Sequence, residues 1–198
     1  MYKRQIDTFY TDADGQLVTP EKLEYGKGYS LVEVQAPYGY VLDSTPVPFD
    51  VTEENSTQEG GITLIKVDKP NMAQKGTISV EKTGEVFFGV NVSGEEDEDV
   101  IYQPVYKVKG LAGAVYEITA DEDVITPDGT LRYHKGDVVD TVTTDEDGTA
   151  KSKELYLGKY TVVETKAPTG MVINKEKHSV ELTYAGQDVA VTETATSF

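Results

Sequence analysis

The sequence predicts an all-β protein built from tandem β-sandwiches, the first of them incomplete. Three observations carry this. Short segments rich in Val, Thr and Tyr, bounded by Gly, Pro or Asp, recur along the chain, and the helix signal is weak. One phrase occurs twice, as GKGYSLVEVQAPYGYVL from Gly26 to Leu42 and as LGKYTVVETKAPTGMVI from Leu157 to Ile173. The strands are short and closely spaced, which points to sandwiches.

Taken in order, Gln16 to Thr19 follows the acidic turn Asp12-Ala13-Asp14-Gly15 and reads as a strand leaving it. Gly28 to Val34 lies in the first phrase, and Val47 to Thr52 and Gly61 to Val67 follow it as β-branched runs. Thr77 to Lys82, which contains ISVEK, opens a new unit just after Lys75 and Gly76. Gly113 to Thr119 overlaps GLAGAVYEI and runs one residue past it, and Val138 to Thr143 runs into the turn Asp145-Glu146-Asp147-Gly148. Lys159 to Glu164 lies in the second phrase; His178 to Tyr184 and Asp188 to Thr194 complete the set. The expected domains are therefore 1–76, the C-terminal part of one sandwich, and 77–198, a nearly complete sandwich lacking the end of its last strand. Tyr2-Lys3-Arg4-Gln5 matches the in-frame reading of a sequencing-library adapter, so residues 1–5 are read as a candidate artefact.

Each phrase sets one glutamate, Glu33 or Glu164, in an apolar, β-branched run. Strand side chains alternate faces, so Tyr29, Leu31 and Glu33 share one face and Tyr160, Val162 and Glu164 share another. Both copies keep a Tyr before the Glu and Ala-Pro-x-Gly after it, a frame that a solvated position has no reason to hold. A buried carboxyl group without a partner is costly, so each repeat announces chemistry or pairing.

Composition narrows the function. The chain has 198 residues and a net charge of −17, which disfavours nucleic acid and electrostatic docking on anionic lipid. It has no cysteine, which removes disulfides, thiolate catalysis and cysteine metal sites. No signal peptide or run of about 20 apolar residues appears. His134 and His178 stand apart, the two Asp-Gly turns lack the rest of an EF-hand loop, and the run Glu95 to Asp99 reads as a solvated insertion loop. No phosphate-cradling loop, GxSxG elbow or HExxH helix is present. Neither an enzyme nor a cofactor is expected.

The phrase Tyr-x-Leu/Val-x-Glu-x-x-Ala-Pro-x-Gly at Tyr29 to Gly39 and Tyr160 to Gly170, GLAGAVYEI at Gly110 to Ile118, and TTDEDGTAKSKELYLGKY together resemble the Cna protein B-type domain of Gram-positive surface proteins and pilins, also called SpaA-type or prealbumin-like. The resemblance implies immunoglobulin-like, prealbumin-like sandwiches in tandem. It also implies an intramolecular isopeptide bond from a first-strand lysine to a last-strand Asn or Asp, promoted by the glutamate of the repeated phrase. Burial of such a lysine favours the nucleophilic amine, and burial of such a glutamate favours the protonated acid that shuttles protons.

Carried onto this sequence, the promoting glutamates are Glu33 and Glu164, the donor is Lys82, and the acceptor is Asn71, with Asp68 as its rival. Lys107 and Lys109 sit closer to GLAGA than the family pattern allows. The first unit then has a glutamate and an acceptor but no donor strand. The second has a donor and a glutamate but no acceptor, since Glu193 is not the usual acceptor type, and no completed bond is expected. The implied role is a stalk or spacer of an extracellular, cell wall-anchored adhesin or pilin-like protein, whose partners are neighbouring domains of the same surface protein. Two alternatives stay open. One is an adhesin module binding a host matrix protein or glycan, with Tyr102, Tyr106 and Tyr133 as a candidate face; the other is a noncatalytic domain appended to a secreted enzyme.

Overall fold

The computed structural model describes residues 5–19, 21–54, 56–59, 62–94 and 99–198, with the side chains of 58, 59, 62 and 63 left out. Residues 1–4 of the candidate adapter scar and 95–98 of the acidic run therefore lie outside the described residues. The architecture is all-β, as the strand pattern predicts. In chain order the strands are β1 (Gly26–Leu31), β2 (Tyr40–Val41), β3 (Val47–Val51), β4 (Thr57–Glu59), β5 (Ile62–Leu64) and β6 (Met72–Ala73). There follow β7 (Lys75–Glu81), β8 (Thr83–Ser93), β9 (Ile101–Gly110), β10 (Val115–Ala120), β11 (Val124–Ile125) and β12 (Leu131–Tyr133). The last six are β13 (Val138–Thr143), β14 (Thr149–Lys151), β15 (Leu155–Tyr156), β16 (Gly158–Lys166), β17 (Lys177–Leu182) and β18 (Val191–Ser197). Among the described residues no helix is long and apolar enough to cross a membrane.

The chain divides into two compact units, one of 1–33 and 44–69, the other of 34–43 and 70–198. In the first, β1 pairs antiparallel with β3 and stacks Tyr29 on Phe49 at 5.6 Å between ring centroids. The short strands β4 and β5 form a hairpin. The expected strand at Gln16 to Thr19 does not form. Asp12 closes the turn, its carboxylate accepting from the backbone of Asp14 and Gln16, but the backbone pairing described there ends at the Asp12 N–H to Gln16 carbonyl bond. A strand without a ladder is not a stable element.

The second unit is a two-layer sandwich. One layer is the antiparallel sheet β13-β10-β16-β17. In the other, β14 and β15 pair antiparallel with β7, and β18 pairs with β7 in parallel over its whole length, from Val191 opposite Lys75 to Ser197 opposite Glu81. Alternation sets the inner faces: Tyr116, Ile118 and Ala120 from β10, Tyr160 and Val162 from β16, and Ile78 and Val80 from β7 meet in a sealed core with Leu155 and Leu182. The strand pattern of the sequence does not predict the long hairpin of β8 with β9. It is a two-stranded ribbon with a bulge between Phe87 and Gly89, and Phe87, Val92, Tyr102 and Tyr106 on it are exposed.

The two regions should respond differently to substitution. Ile118→Ala empties a fully buried position and is expected to cost about 3 kcal/mol in urea denaturation. Val92→Ser, on the exposed ribbon, should change stability by less than about 0.5 kcal/mol.

Candidate functional site

The site grows from strand parity. β16 is hydrogen-bonded on both edges, to β10 and to β17, so its alternation runs unbroken and carries Tyr160, Val162 and Glu164 onto the core face. On β7, Ile78 and Val80 face the same core, and Lys82 follows two residues beyond Val80 and is buried as well. Two loops grip its backbone. The Lys82 N–H donates to the Gly148 carbonyl at 2.8 Å, and the Lys82 carbonyl accepts from the Leu111 N–H at 2.9 Å. Both loops approach through glycines. A Cβ at Gly148, where φ is +79°, would lie 2.4 Å from the Lys82 carbonyl oxygen, and one at Gly110 would lie 1.9 Å from that of Asp147.

Lys82 Nζ stands 3.3 Å from Glu164 Oε1, with side chains 9% and 0% exposed. The other carboxylate oxygen, Oε2, accepts from the Asn174 N–H. Tyr116 is directly opposite Glu164 on β10. Burial, and after it the Glu164 charge, pushes the Tyr116 phenol well above its ordinary range, so its hydroxyl stays protonated beside the carboxylate. Phe198 continues β18 alongside Lys82, its N–H donating to the Glu81 carbonyl and its own carbonyl accepting from the Thr83 N–H. Its ring lies 4.6 Å from that of Tyr116 and stacks at 3.9 Å on His178, whose Nδ1 is 2.8 Å from Thr196 Oγ1. An amine and a carboxyl group thus meet in a sealed space at the end of two parallel strands. That arrangement can pass a proton between them and present a nucleophile to an adjacent strand.

Of the residues singled out by sequence, Lys82 and Glu164 are together. Glu33 lies in the first unit, two residues beyond the end of β1, and is half-buried. Asn71 lies in the second unit, where its side-chain amide donates to the Val41 carbonyl at 3.5 Å. Asp68 is exposed in the first unit and pairs with Lys66 at 3.4 Å. Glu193 is exposed on β18, opposite Thr77, and pairs with Lys151 across the sheet rather than approaching Lys82. Lys107 and Lys109 are exposed on β9, with the Lys107 ammonium over the Phe88 ring. Tyr133 is partly buried against the core, while Tyr102 and Tyr106 are on the ribbon. Sequence reasoning missed Tyr116, whose signal was the alternation in AVYEI, and the glycine pair that closes over Lys82. Among the described residues no group of three His, Asp or Glu could hold a metal ion.

The family model of the SpaA prealbumin-like fold domain matches residues 1–66 and 105–196, well over half of the chain. No curated protein matches it. Among solved structures, the chain is 25% identical to the TIE protein of Bacillus anthracis, with a TM-score of 0.50, covering 96% of this chain and 28% of that one. It is 24% identical to the full-length major pilin SpaD from Corynebacterium diphtheriae, with a TM-score of 0.35, covering 63% of this chain and 32% of that one. Against the pilus 2b backbone protein of group B streptococcus the identity is 16% and the TM-score 0.35, covering 96% of this chain and 76% of that one. The chain spans less than a third of the first two.

Removing one member of the buried pair leaves the other charge without compensation. Glu164→Leu alone should therefore destabilise the second unit by about 3–5 kcal/mol in chemical denaturation. Lys82→Met combined with Glu164→Leu should recover most of that loss, because no unpaired charge remains. Equal loss in the single and double variants would remove the pair from the account of stability.

Proposed function

This chain belongs to the SpaA family of prealbumin-like fold domains, and we propose that its work is mechanical: a stalk or spacer segment of a cell wall-anchored surface protein of a Gram-positive bacterium. The observation that supports the reading is the sealed contact of Lys82 with Glu164 at the end of the parallel β7–β18 pair. In this reading Lys82 is the donor and Glu164 the proton carrier of an isopeptide-forming site. The Lys82 amine attacks the side-chain carbonyl carbon of an Asn supplied on β18 or its continuation. The nitrogen–carbon bond forms, Glu164 takes the proton from the attacking nitrogen and returns it to the leaving amine, and ammonia departs; with an Asp acceptor, water departs instead. Glu33 with Asn71, or Asp68 as the rival acceptor, would be the corresponding members of a preceding site.

Topology gives the bond its mechanical sense. Parallel strands pulled from the start of one and the end of the other are loaded in shear. A covalent link at the Lys82 end carries tension from β7 into β18 and bypasses the core. The chain has no cysteine, and such a link, where an acceptor is supplied, would do what a disulfide does in constraining the unfolded chain.

A second reading is favoured by one feature of the β8–β9 ribbon. Tyr102, Pro104, Tyr106 and Val108 alternate onto one of its faces and pair with Val92, Val90, Phe87 and Glu85. That face is apolar and exposed, as a host matrix protein or a glycan would require.

Two measurements separate these readings. The intact mass of the chain should equal the calculated value, since Phe198 rather than Asn or Asp stands beside Lys82. Phe198→Asn should then lose the mass of one ammonia, and the same variant with Glu164→Gln should not. A Phe198→Asn chain that keeps its full mass after prolonged incubation would count against the isopeptide site. For the ribbon, a matrix-protein and glycan screen should give no signal from a spacer. A signal abolished by Tyr102→Ala with Phe87→Ala would establish the adhesin reading.

A further inference from the structure

The tail of the repeated phrase adopts one turn in two settings. In the first copy the Tyr40 N–H donates to the Pro37 carbonyl at 3.1 Å with Gly39 at φ +85°. In the second, the Met171 N–H donates to the Pro168 carbonyl at 3.0 Å with Gly170 at φ +82°. The same sequence frame gives the same turn, with glycine at the position that needs a positive φ. Their surroundings differ.

The first tail, 34–43, is part of the second unit, where Ala36 and Gly39 are buried while Val34 and Tyr38 stay exposed. The Ala36 N–H donates to Gln187 Oε1 at 2.9 Å, the Leu42 N–H donates to the Gln187 carbonyl at 2.9 Å, and the Gly39 carbonyl accepts from the Gln74 N–H at 2.8 Å. Gln74 is itself buried, accepting from the Ala185 N–H and donating to the Gly186 and Val189 carbonyls, which fixes the 185–189 loop that receives the tail. Tyr38 packs on Tyr184 at 4.6 Å, and Gly39 fits so tightly against Pro127 that a Cβ would come within 2.6 Å of it. Tyr40 and Val41 pair as β2 with β6. The second tail is open at its turn, although Pro168 is buried and the Asn174 N–H donates to Glu164 Oε2. Gly170 has nothing within 4 Å of where its Cβ would be, and Val172, the counterpart of Val41, is 89% exposed.

We propose that the tail from Thr165 to Asn174 is a docking element for a further sandwich of the same family placed C-terminal to it, received in a seat made of that sandwich's counterparts of Gln74, Pro127 and Gln187. The occupant is identified by the covered copy, whose hydrogen bonds come from backbone groups and one Gln carboxamide that would serve either tail. This rests on the stalk reading, in which sandwiches follow one another. Thr169 replaces Tyr38, so the second tail lacks the ring that packs on Tyr184. Its docking therefore relies on the Gln187 contacts and the short strand pairing.

The test uses the full chain with its own second unit as the neighbour. Appending Asp68–Phe198 after Phe198 sets the second phrase as far ahead of the appended Pro70 as the first phrase lies ahead of Pro70 in the chain. It also leaves the appended seat without its own 34–43. The chain has no cysteine, so Val172→Cys gives a single thiol whose labelling rate reports cover. The rate should fall by about tenfold or more in the fusion relative to the unfused chain. It should recover with Gln187→Ala in the appended copy and fall further with Thr169→Tyr, which restores the ring. An unchanged rate in a fusion whose appended unit unfolds cooperatively overturns the proposal, and so does slowing that ignores both substitutions. Neither outcome touches the ammonia-loss test of Phe198→Asn, on which the isopeptide site of the stalk reading stands independently.

Discussion

Placing Lys82 and Glu164 together in the core constrains most of what surrounds them. Two charges removed from water lose several kcal/mol of solvation each, and their attraction offsets this only when geometry and further hydrogen bonds are supplied. The second unit supplies them from separate places. The Asn174 N–H, from the segment after the second phrase, donates to Glu164, Tyr116 on β10 lies opposite that carboxylate, and the loops at Gly110 and Gly148 clamp the lysine backbone. A Cβ at either glycine would drive those loops away from Lys82. The glycines of GLAGA and DEDGT are thus as much a part of the site as the charges, although they carry no chemistry of their own.

The site was legible where period-two alternation was legible. Tyr160, Val162 and Glu164 share a face because β16 is a central strand with partners on both edges, and the same parity on β7 takes Ile78 and Val80 to Lys82. The first phrase reads identically but behaves differently. Among the described residues β1 pairs with β3 alone and ends at Leu31, so Glu33 has left the ladder before parity can place it. One sequence pattern gives two outcomes because strand length depends on neighbours supplied from far along the chain. The β8–β9 ribbon escaped notice for the opposite reason. Its alternation is real, but a bulge at Phe88 breaks the period on one strand, and its apolar face points away from any core.

The acidic turns show local chemistry resisting tertiary context. Asp12 and Asp145 each accept from the backbone two and four residues on, in units with different cores. At Asp145 the bonds from Thr149, led by its backbone N–H, hold the carboxylate below its usual range. Such turns need only an Asp and a Gly at fixed spacing, and so they could be read directly from the sequence.

Tension on the second unit would not be shared evenly. β18 crosses all seven partners of β7 in register, so pulling the two strands apart lengthwise strains every backbone bond at once rather than one after another. The ribbon, the β11–β12 hairpin and the turns branch off this line and bear little of the load. Lys82 sits just beyond the last of those seven pairs, where Phe198 still bonds to Glu81 and Thr83 on either side of it. A buried charge there is costly to a fold that only has to be stable, and useful to one that has to be pulled.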